Sequence, residues 1–416
     1  MTQQGAFYET TMYKIYIIGI SECVLSQNQQ KIVEKCSLLV ATDRLRDMAA
    51  DFSGKIQSIA PLEQAITAIR STLPIGNVAV LASGDPLFYG IGKRLLKEFL
   101  PGQLEFYPAL SALQKACALL KTPWDDAVIV SLHGRQHHHI PGLLLKNKKT
   151  IVFTDQNNSP QIIADKINKY LQSIGHIDLI EKIAFSVAEN IGLPDENVFT
   201  GTLEEAAKNA FSPLNILCLQ LSFPQSQGLT SFGLGLTEDE ISHSRGLITK
   251  NEVRAVTLHK LRIPWQGVLW DIGAGSGSIS IETARANPHL TIYAVEHKEE
   301  ELNNIKENIR RYHCFNVIPV FGRAPEVLAG LPAPDRVFIG GSSGSLTEIV
   351  QLVANQLAAN GRLVINGVIE ETITTAPQCM QKAGFTVTRS VIKVSRTLQH
   401  SEIQNFNPIT IMAGTR

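Results

Sequence analysis

Two unlike glycine-bearing turns, each closing an apolar run that reads as a buried strand, constrain this chain more than any other feature. Ser83-Gly84-Asp85-Pro86-Leu87-Phe88-Tyr89-Gly90 follows Val78 to Ala82, and Asp271-Ile272-Gly273-Ala274-Gly275-Ser276-Gly277 follows Val268-Leu269-Trp270. Residues without a Cβ let the backbone bend sharply and let a ligand approach main-chain N–H groups. The turns lie about 190 residues apart and differ in sequence, and no internal repeat is visible. They imply two small-molecule sites, made by fusing two architectures rather than by duplicating one.

The second turn is the more legible. From Ser278 onward Ile279, Ile281 and Ala284 alternate with Glu282 and Arg285 at helical period, so the glycines sit between a strand and a helix. A dinucleotide fingerprint wants a third glycine at position 278, where this chain has Ser278. Asp271 also puts a carboxylate two residues before the first glycine, near where a pyrophosphate would lie. That charge suits a cationic ligand, and S-adenosyl-L-methionine carries both a sulfonium and an ammonium. Its ribose needs an acceptor at the end of the next strand. Glu296 closes Thr291-Ile292-Tyr293-Ala294-Val295-Glu296, about 20 residues beyond the turn, as this topology requires.

The 416 residues, 44% hydrophobic and 18% charged, suffice for two domains with ordinary cores. A formal net charge of zero exerts no general pull toward nucleic acid or a membrane surface, so an anionic ligand must be held by local Arg and Lys. Six scattered cysteines (23, 36, 117, 218, 314 and 379) form no C-x-x-C pair, which suits a reducing compartment and argues against a disulfide frame or a structural zinc. The first 13 residues are polar, and no run approaches the roughly 20 apolar residues of a membrane span. A cytoplasmic enzyme is expected, with no resident metal. His137-His138-His139 lacks ligand spacing and reads as a surface feature.

Strands and helices alternate throughout, which predicts an α/β fold with largely parallel sheets. Expected strands include Lys14 to Ile20, Ser37 to Ala41, Val78 to Ala82, Leu104 to Tyr107, Ala127 to Ser131, Thr150 to Phe153, Lys182 to Val187 and Ile216 to Leu221. The turn formers of Phe223 to Ser231 separate two complete patterns, giving a first domain over 1–222, a linker over 223–235 and a second domain over 236–416. The second runs strand (Gly267 to Ile272), helix, strand (Leu290 to Val295), helix (Glu299 to Arg311), strand (Val317 to Phe321). It continues through strands at Arg336 to Ile339 and Gly361 to Val368 to a hairpin-like pair near Thr386 to Val394 and Glu402 to Ala413, a doubly wound sheet.

On these residues a resemblance rests. The second half, with Gly246-Leu247-Ile248-Thr249-Lys250-Asn251-Glu252-Val253-Arg254-Ala255, the Asp271 to Gly277 turn, Gly322-Arg323-Ala324-Pro325-Glu326 and Asp335 to Gly341, resembles the decarboxylating precorrin methyltransferases of cobalamin synthesis. The first half, with Ser83 to Gly92, Ser131-Leu132-His133-Gly134-Arg135 and Pro213-Leu214-Asn215, resembles the tetrapyrrole methylases. In this order the halves are similar to the fused bifunctional family that acts at carbons 5 and 15 of precorrin-6Y. The chain departs from the pattern at Gly19-Ile20-Ser21-Glu22, which lacks a Gly-Pro pair, and at Pro108-Ala109-Leu110-Ser111.

The resemblance implies a tetrapyrrole methylase fold of two α/β subdomains followed by a Rossmann-like class I methyltransferase. It also implies one S-adenosyl-L-methionine site in each. In the first domain Gly84, Asp85, Pro86 and Tyr89, with Ser111, would wall the cofactor; His133 and Arg135 would shuttle protons and anchor a carboxylate. In the second, Thr249, Asp271, Gly273, Ala274, Gly275, Ser276, Gly277, Glu296 and Ala324 would hold the cofactor. Lys250 and Arg254, with Arg245 and Arg323, would meet the acetate and propionate arms of the precorrin. A homo-oligomer is expected from the first domain's type. Three rivals stand beside this. A nucleic-acid methyltransferase lacks support because no basic excess is present and Asp335 is followed by Arg336-Val337-Phe338 rather than a Pro-Pro-aromatic run. A nicotinamide oxidoreductase is disfavoured by Ser278 and Asp271, and a non-catalytic scaffold by the intact methyl-donor contacts.

Overall fold

The computed structural model describes residues 13–22, 24–134, 137–222, 233–246, 248–397 and 403–416. Residues 1–12, Cys23, Arg135, Leu247, the 223–232 part of the expected linker and Glu402 lie outside them. The chain forms two compact units. The first takes the chain as far as Asp125 with Ala188–Phe199 and Leu214–Ile216; the second takes Asp126–Val187, Thr200–Pro213 and Leu217–Arg416.

In the first unit β1 (Ile15–Ile20), β2 (Cys36–Ala41), β3 (Lys55–Ser58), β4 (Asn77–Ser83) and β5 (Leu104–Tyr107) form a sheet of order β3-β2-β4-β1-β5. All its pairings are parallel. A parallel sheet covered on both faces needs apolar residues at successive positions. Ile15, Ile17, Val78 and Val80 pack on one side with Ile66 and Ile69 of the helix Leu62–Thr72, while Ile18, Ala79 and Leu81 fill the other. The strands β6 (Val128–Ser131), β7 (Lys149–Phe153), β8 (Ile183–Glu189), β9 (Asn197–Gly201) and β10 (Asn215–Leu221) make a sheet of order β6-β7-β10-β8-β9.

The largest sheet, in the second unit, joins β11 (Gly267–Ile272), β12 (Leu290–Glu296), β13 (Val317–Phe321), β14 (Arg336–Ile339), β15 (Arg362–Gly367), β16 (Thr386–Ile392) and a last strand introduced below. Between them lie the short antiparallel β17 (Ser395–Thr397) and β18 (Ile403–Asn405), and the last strand is β19 (Ile409–Thr415). The order is β13-β12-β11-β14-β15-β19-β16, with β19 antiparallel to both neighbours. The inserted antiparallel strand departs from the 3-2-1-4-5-6 order of dinucleotide folds. Trp270 is fully buried on central β11 and donates its indole N–H to the Pro332 carbonyl at 3.1 Å.

Several elements differ from the expectation, among them the strands β3 and β9, which were not expected. The strand expected from Glu402 to Ala413 is broken between Asn405 and Ile409, where Pro408 has no N–H to give a ladder. The helices Asn251–Leu261 and Glu370–Lys382 were not expected, the first because it buries Arg254 and Thr257 beside Val253 and Leu261, the second because it contains Pro377. Among the described residues no helix is long and apolar enough to cross a membrane.

Candidate functional site

The glycine turn after β11 is fixed by conformation and contact together. Gly273, Gly275 and Gly277 all have left-handed φ, at 66°, 56° and 75°. At Gly273 a Cβ would lie 2.4 Å from the Gly341 carbonyl oxygen and 2.7 Å from its nitrogen, so the loop after β14 rests directly on the turn. At Gly275 a Cβ would meet nothing within 4 Å. The backbone there faces open space. Gly273 and Ala274 both donate to the Val295 carbonyl at 3.0 Å, and the Ser276 carbonyl accepts from Asn308 Nδ2 at 3.0 Å, so β12 and the following helix hold the turn from beneath.

The open space is a cleft of about 740 Å³, its mouth included, lined by Gly273, Gly275, Glu296, Arg323, Ala324 and Ser342 among others. Glu296 is buried at the end of β12. Its Oε2 accepts from Gly275 N–H at 2.9 Å, and its Oε1 from the N–H groups of His297 and Lys298 at 2.8 and 3.0 Å. Those bonds aim the carboxylate into the cleft beside the turn. A second cleft of about 990 Å³ adjoins the first through Gly341, Ser342 and Ser343, and is lined further by Asn366, Glu371 and Thr372. No Lys, Arg or His lines it among the described residues.

Asp271 does not line either cleft. It is fully buried, and its Oδ2 accepts from both the N–H and the hydroxyl of Ser280, at 3.1 and 2.6 Å, while Oδ1 has no partner. Burial pushes its carboxyl up to about 7 against the two Ser280 bonds, with the Glu296 charge adding to the rise. Asp271 thus fastens the first turn of the helix Ser278–Ala286 to the end of β11.

Arg254, expected to meet a substrate carboxylate, is enclosed instead. With 2% of its side chain exposed, it donates to Glu282 Oε1 at 3.2 Å, the Thr249 carbonyl at 3.1 Å, Asn251 Oδ1 at 3.2 Å and the Leu236 carbonyl. Glu282, equally buried, also accepts from the N–H groups of Gly235 and Leu236 at 3.1 and 2.8 Å. The pair therefore ties Thr249 and the segment at Leu236 to the helix that begins at the glycine turn. Lys250 is half-buried, bonded to Glu238 at 2.8 Å, and stands 5.2 Å from the Phe406 ring centroid. Arg396 flanks the same ring at 5.0 Å and holds Glu238 and Glu252. Arg245 pairs with Glu300 at 3.3 Å, and Arg323 is exposed at the cleft rim.

In the first unit the other turn is equally ordered. Gly84 has φ 67°, donates to the Ile20 carbonyl at 2.7 Å, and a Cβ on it would lie 3.1 Å from Ser111 Cα. A Cβ on Gly19 would lie 2.3 Å from the Gly84 carbonyl oxygen, so the ends of β1 and β4 touch. Asp85 Oδ1 accepts from Leu87 N–H at 2.8 Å, and the Pro86 carbonyl from Gly92 N–H at 2.9 Å. Ser111 caps the helix Ala112–Leu119, accepting from Gln114 N–H at 3.2 Å. Tyr89 has φ 54° and an exposed ring set edge-on to Phe88. These five residues come together around one strand end. His133 is exposed in the second unit, next to Gly134, whose N–H donates to Asp155 at 3.0 Å. Ser280, Glu282, Asn366 and Arg396 escaped the sequence reading, since no motif marks a buried partner from another element.

A seven-stranded sheet with a cleft at the end of its central strand, preceded by two five-stranded sheets, is the architecture of a two-domain methyltransferase. The tetrapyrrole (corrin/porphyrin) methylase model matches residues 14–207, and the precorrin methyltransferase domain model matches residues 240–414. A precorrin-6Y C(5,15)-methyltransferase (decarboxylating) of a Sinorhizobium species is 31% identical over 359 residues, which cover 85% of this chain and 84% of that protein. A cobalt-precorrin-6B C(15)-methyltransferase (decarboxylating) of Salmonella typhimurium is 38% identical over 31% of this chain and 66% of its own. A crystal structure titled precorrin-6Y C5,15-methyltransferase, from Geobacter metallireducens, is 40% identical over 44% of this chain and 98% of its own, with a TM-score of 0.44. The chain belongs to the family of decarboxylating precorrin-6Y C5,15-methyltransferases. The methyl donor of this family is S-adenosylmethionine.

Proposed function

We propose that the chain methylates precorrin-6Y at carbons 5 and 15 and decarboxylates the carbon-12 acetate, giving precorrin-8X. The observation that carries this reading is the match along 85% of the chain to a protein named for both methylations and the decarboxylation. We assign carbon 5 to a domain over 1–222, and carbon 15 with decarboxylation to a domain over 236–416, with 223–235 as linker. The family-model matches at 14–207 and 240–414 support that division.

The cleft at the second glycine turn fits the methyl donor. Gly275 opens onto it, Glu296 offers acceptor oxygens for ribose hydroxyls, Ala324 supplies a small apolar wall, and Thr249 is held by Arg254 beside the turn's helix. The donor brings an electrophilic methyl on a sulfonium. The enamine-like meso carbon of a reduced tetrapyrrole supplies the electron pair for the new C–C bond, so the protein's main task is to hold the two in line. In decarboxylation the bond to the carboxyl carbon breaks, carbon dioxide leaves, and its electron pair passes into the conjugated imine system. A proton then completes the new methyl group. The adjoining cleft suits that step: among the described residues no Lys, Arg or His lines it to stabilise the carboxylate that must be lost. In the first domain we place a second donor at Gly84, Asp85, Pro86, Tyr89 and Ser111, with His133 and Arg135 toward the tetrapyrrole. Cysteines scattered along the sequence without a C-x-x-C pair support a cytoplasmic location, and the resemblance of the first domain supports a homo-oligomer.

Mass spectrometry after incubation with precorrin-6Y and methyl-labelled S-adenosylmethionine tests the reading. A gain of two labelled methyls with loss of carbon dioxide is expected. An unchanged tetrapyrrole, despite tight donor binding, would point to a cobalt-bearing substrate instead.

A further inference from the structure

The triple histidine and one bare tryptophan are unused by the reading above, and the fold brings them to one place. In the second unit a cleft of about 1340 Å³, its mouth included, is lined by His138, Lys146, His289 and the neighbouring His137 and His139. Gly267 and Leu290, the first residues of β11 and β12, form its floor, whereas Ile272 and Glu296, their last residues, line the donor cleft. The two clefts therefore lie at opposite ends of the same strands.

No carboxylate lines this cleft among the described residues. Lys146 Nζ stands 3.2 Å from His289 Nδ1 and 3.4 Å from the Pro288 carbonyl oxygen, so its positive charge has only neutral neighbours there. Burial, and then the Lys146 charge, push the His289 ring down from its usual value, and burial lowers Lys146 as well. His139 is committed to the wall through the Phe315 carbonyl at 2.9 Å and an edge-on contact with Tyr170. At the rim the Trp265 ring lies 5.0 Å from that of His289, yet 76% of Trp265 is exposed. A large flat ring left in water against the histidine that Lys146 meets, with no carboxylate lining the cleft among the described residues, is a combination that folding alone does not require.

A tetrapyrrole presents the matching pair of features, a flat apolar face and anionic arms. We infer that this cleft is a second docking site for the tetrapyrrole, taking a carboxylate arm on Lys146 and His138 with the macrocycle face against Trp265. The inference rests on the tetrapyrrole reading of the chain. The site lies at the other end of the strands from the second glycine turn and performs no bond-making step. It retains the macrocycle between one methylation and the next, so that a singly methylated intermediate is not lost to solvent.

Uroporphyrin, a flat octacarboxylate whose aromatic ring is not methylated, serves as the probe. It is titrated into the full-length protein and into Lys146→Glu and Trp265→Ala, following porphyrin absorbance. Loss of the charge-assisted contact in Lys146→Glu, or of the ring contact in Trp265→Ala, is expected to weaken one class of porphyrin binding about tenfold in each variant. The rate of each methylation at saturating precorrin-6Y should stay at the wild-type value, while more singly methylated product escapes to solution. Porphyrin affinity unchanged in both variants overturns the docking site, whatever the turnover. Wild-type protein that binds porphyrin through this cleft but leaves precorrin-6Y untouched overturns the proposed reaction and leaves the docking site standing.

Discussion

Asp271 combines two demands in one side chain, because its carboxyl both fastens a helix and sits wholly out of water. Its folded-state value near 7 stands above the usual 3.8. Between those values the folded protein holds a proton that the unfolded chain has released. Stability against unfolding therefore falls as pH rises through that window, by an amount on the order of a few kcal/mol. Asp271→Asn keeps an acceptor for Ser280 and removes the titration. It should raise the urea midpoint at pH 8 but leave it nearly unchanged at pH 4. Asp271→Ala should abolish carbon-15 methylation and decarboxylation while sparing carbon-5 methylation, read by product mass. The glycines separate fold from ligand at the same turn. Gly273→Ala drives a methyl into Gly341 and should fail in both stability and activity. Gly275→Ala meets no atom, so its stability cost should be only about 1–2 kcal/mol for the left-handed backbone. A large loss of donor affinity measured by calorimetry would then report a ligand approaching that backbone.

Elements show where the sequence was readable. The strand at Gly267–Ile272 was legible to the residue because a strand buried on both faces is apolar along most of its length, with Asp271 its one charge near the end, and its neighbour Arg336–Ile339 is apolar after Arg336. The helix Asn251–Leu261 hid itself by burying a charge, which no periodicity rule anticipates. For the same reason Arg254 looked like a substrate contact: a cation in a family motif reads as a ligand group until its acidic partner, 28 residues away, is seen beside it. The glycines and Glu296 were visible because their roles are set by local backbone and strand ends, whereas Glu282, Ser280 and Asn366 earn their positions only through packing. The buried pair makes a direct prediction for the element. Glu282→Ala leaves the Arg254 guanidinium uncompensated and should destabilise the domain by about 3–5 kcal/mol in urea denaturation. Replacing both partners with leucine and methionine should recover much of that loss, since it also removes the stranded charge.

At the scale of the molecule, the decisive property is independence of the two turns. They differ in sequence and lie in different compact units, and each is walled by its own strand ends: Gly84 against Ser111 in one, Gly273 against Gly341 in the other. The atoms that a Cβ would meet at Gly84 and at Gly273 belong to the same unit as the glycine itself. Two equivalents of S-adenosylhomocysteine should therefore bind each wild-type chain in equilibrium dialysis. Gly84→Val, whose first added carbon already crowds Ser111 at 3.1 Å on a left-handed backbone, should bind one equivalent and lose only carbon-5 methylation. Gly273→Val should bind one and lose only carbon-15 methylation with its decarboxylation. If either single variant bound none while remaining folded by circular dichroism, the turns would have to be coupled, and the separate assignment of the two carbons to two domains would fall with their independence.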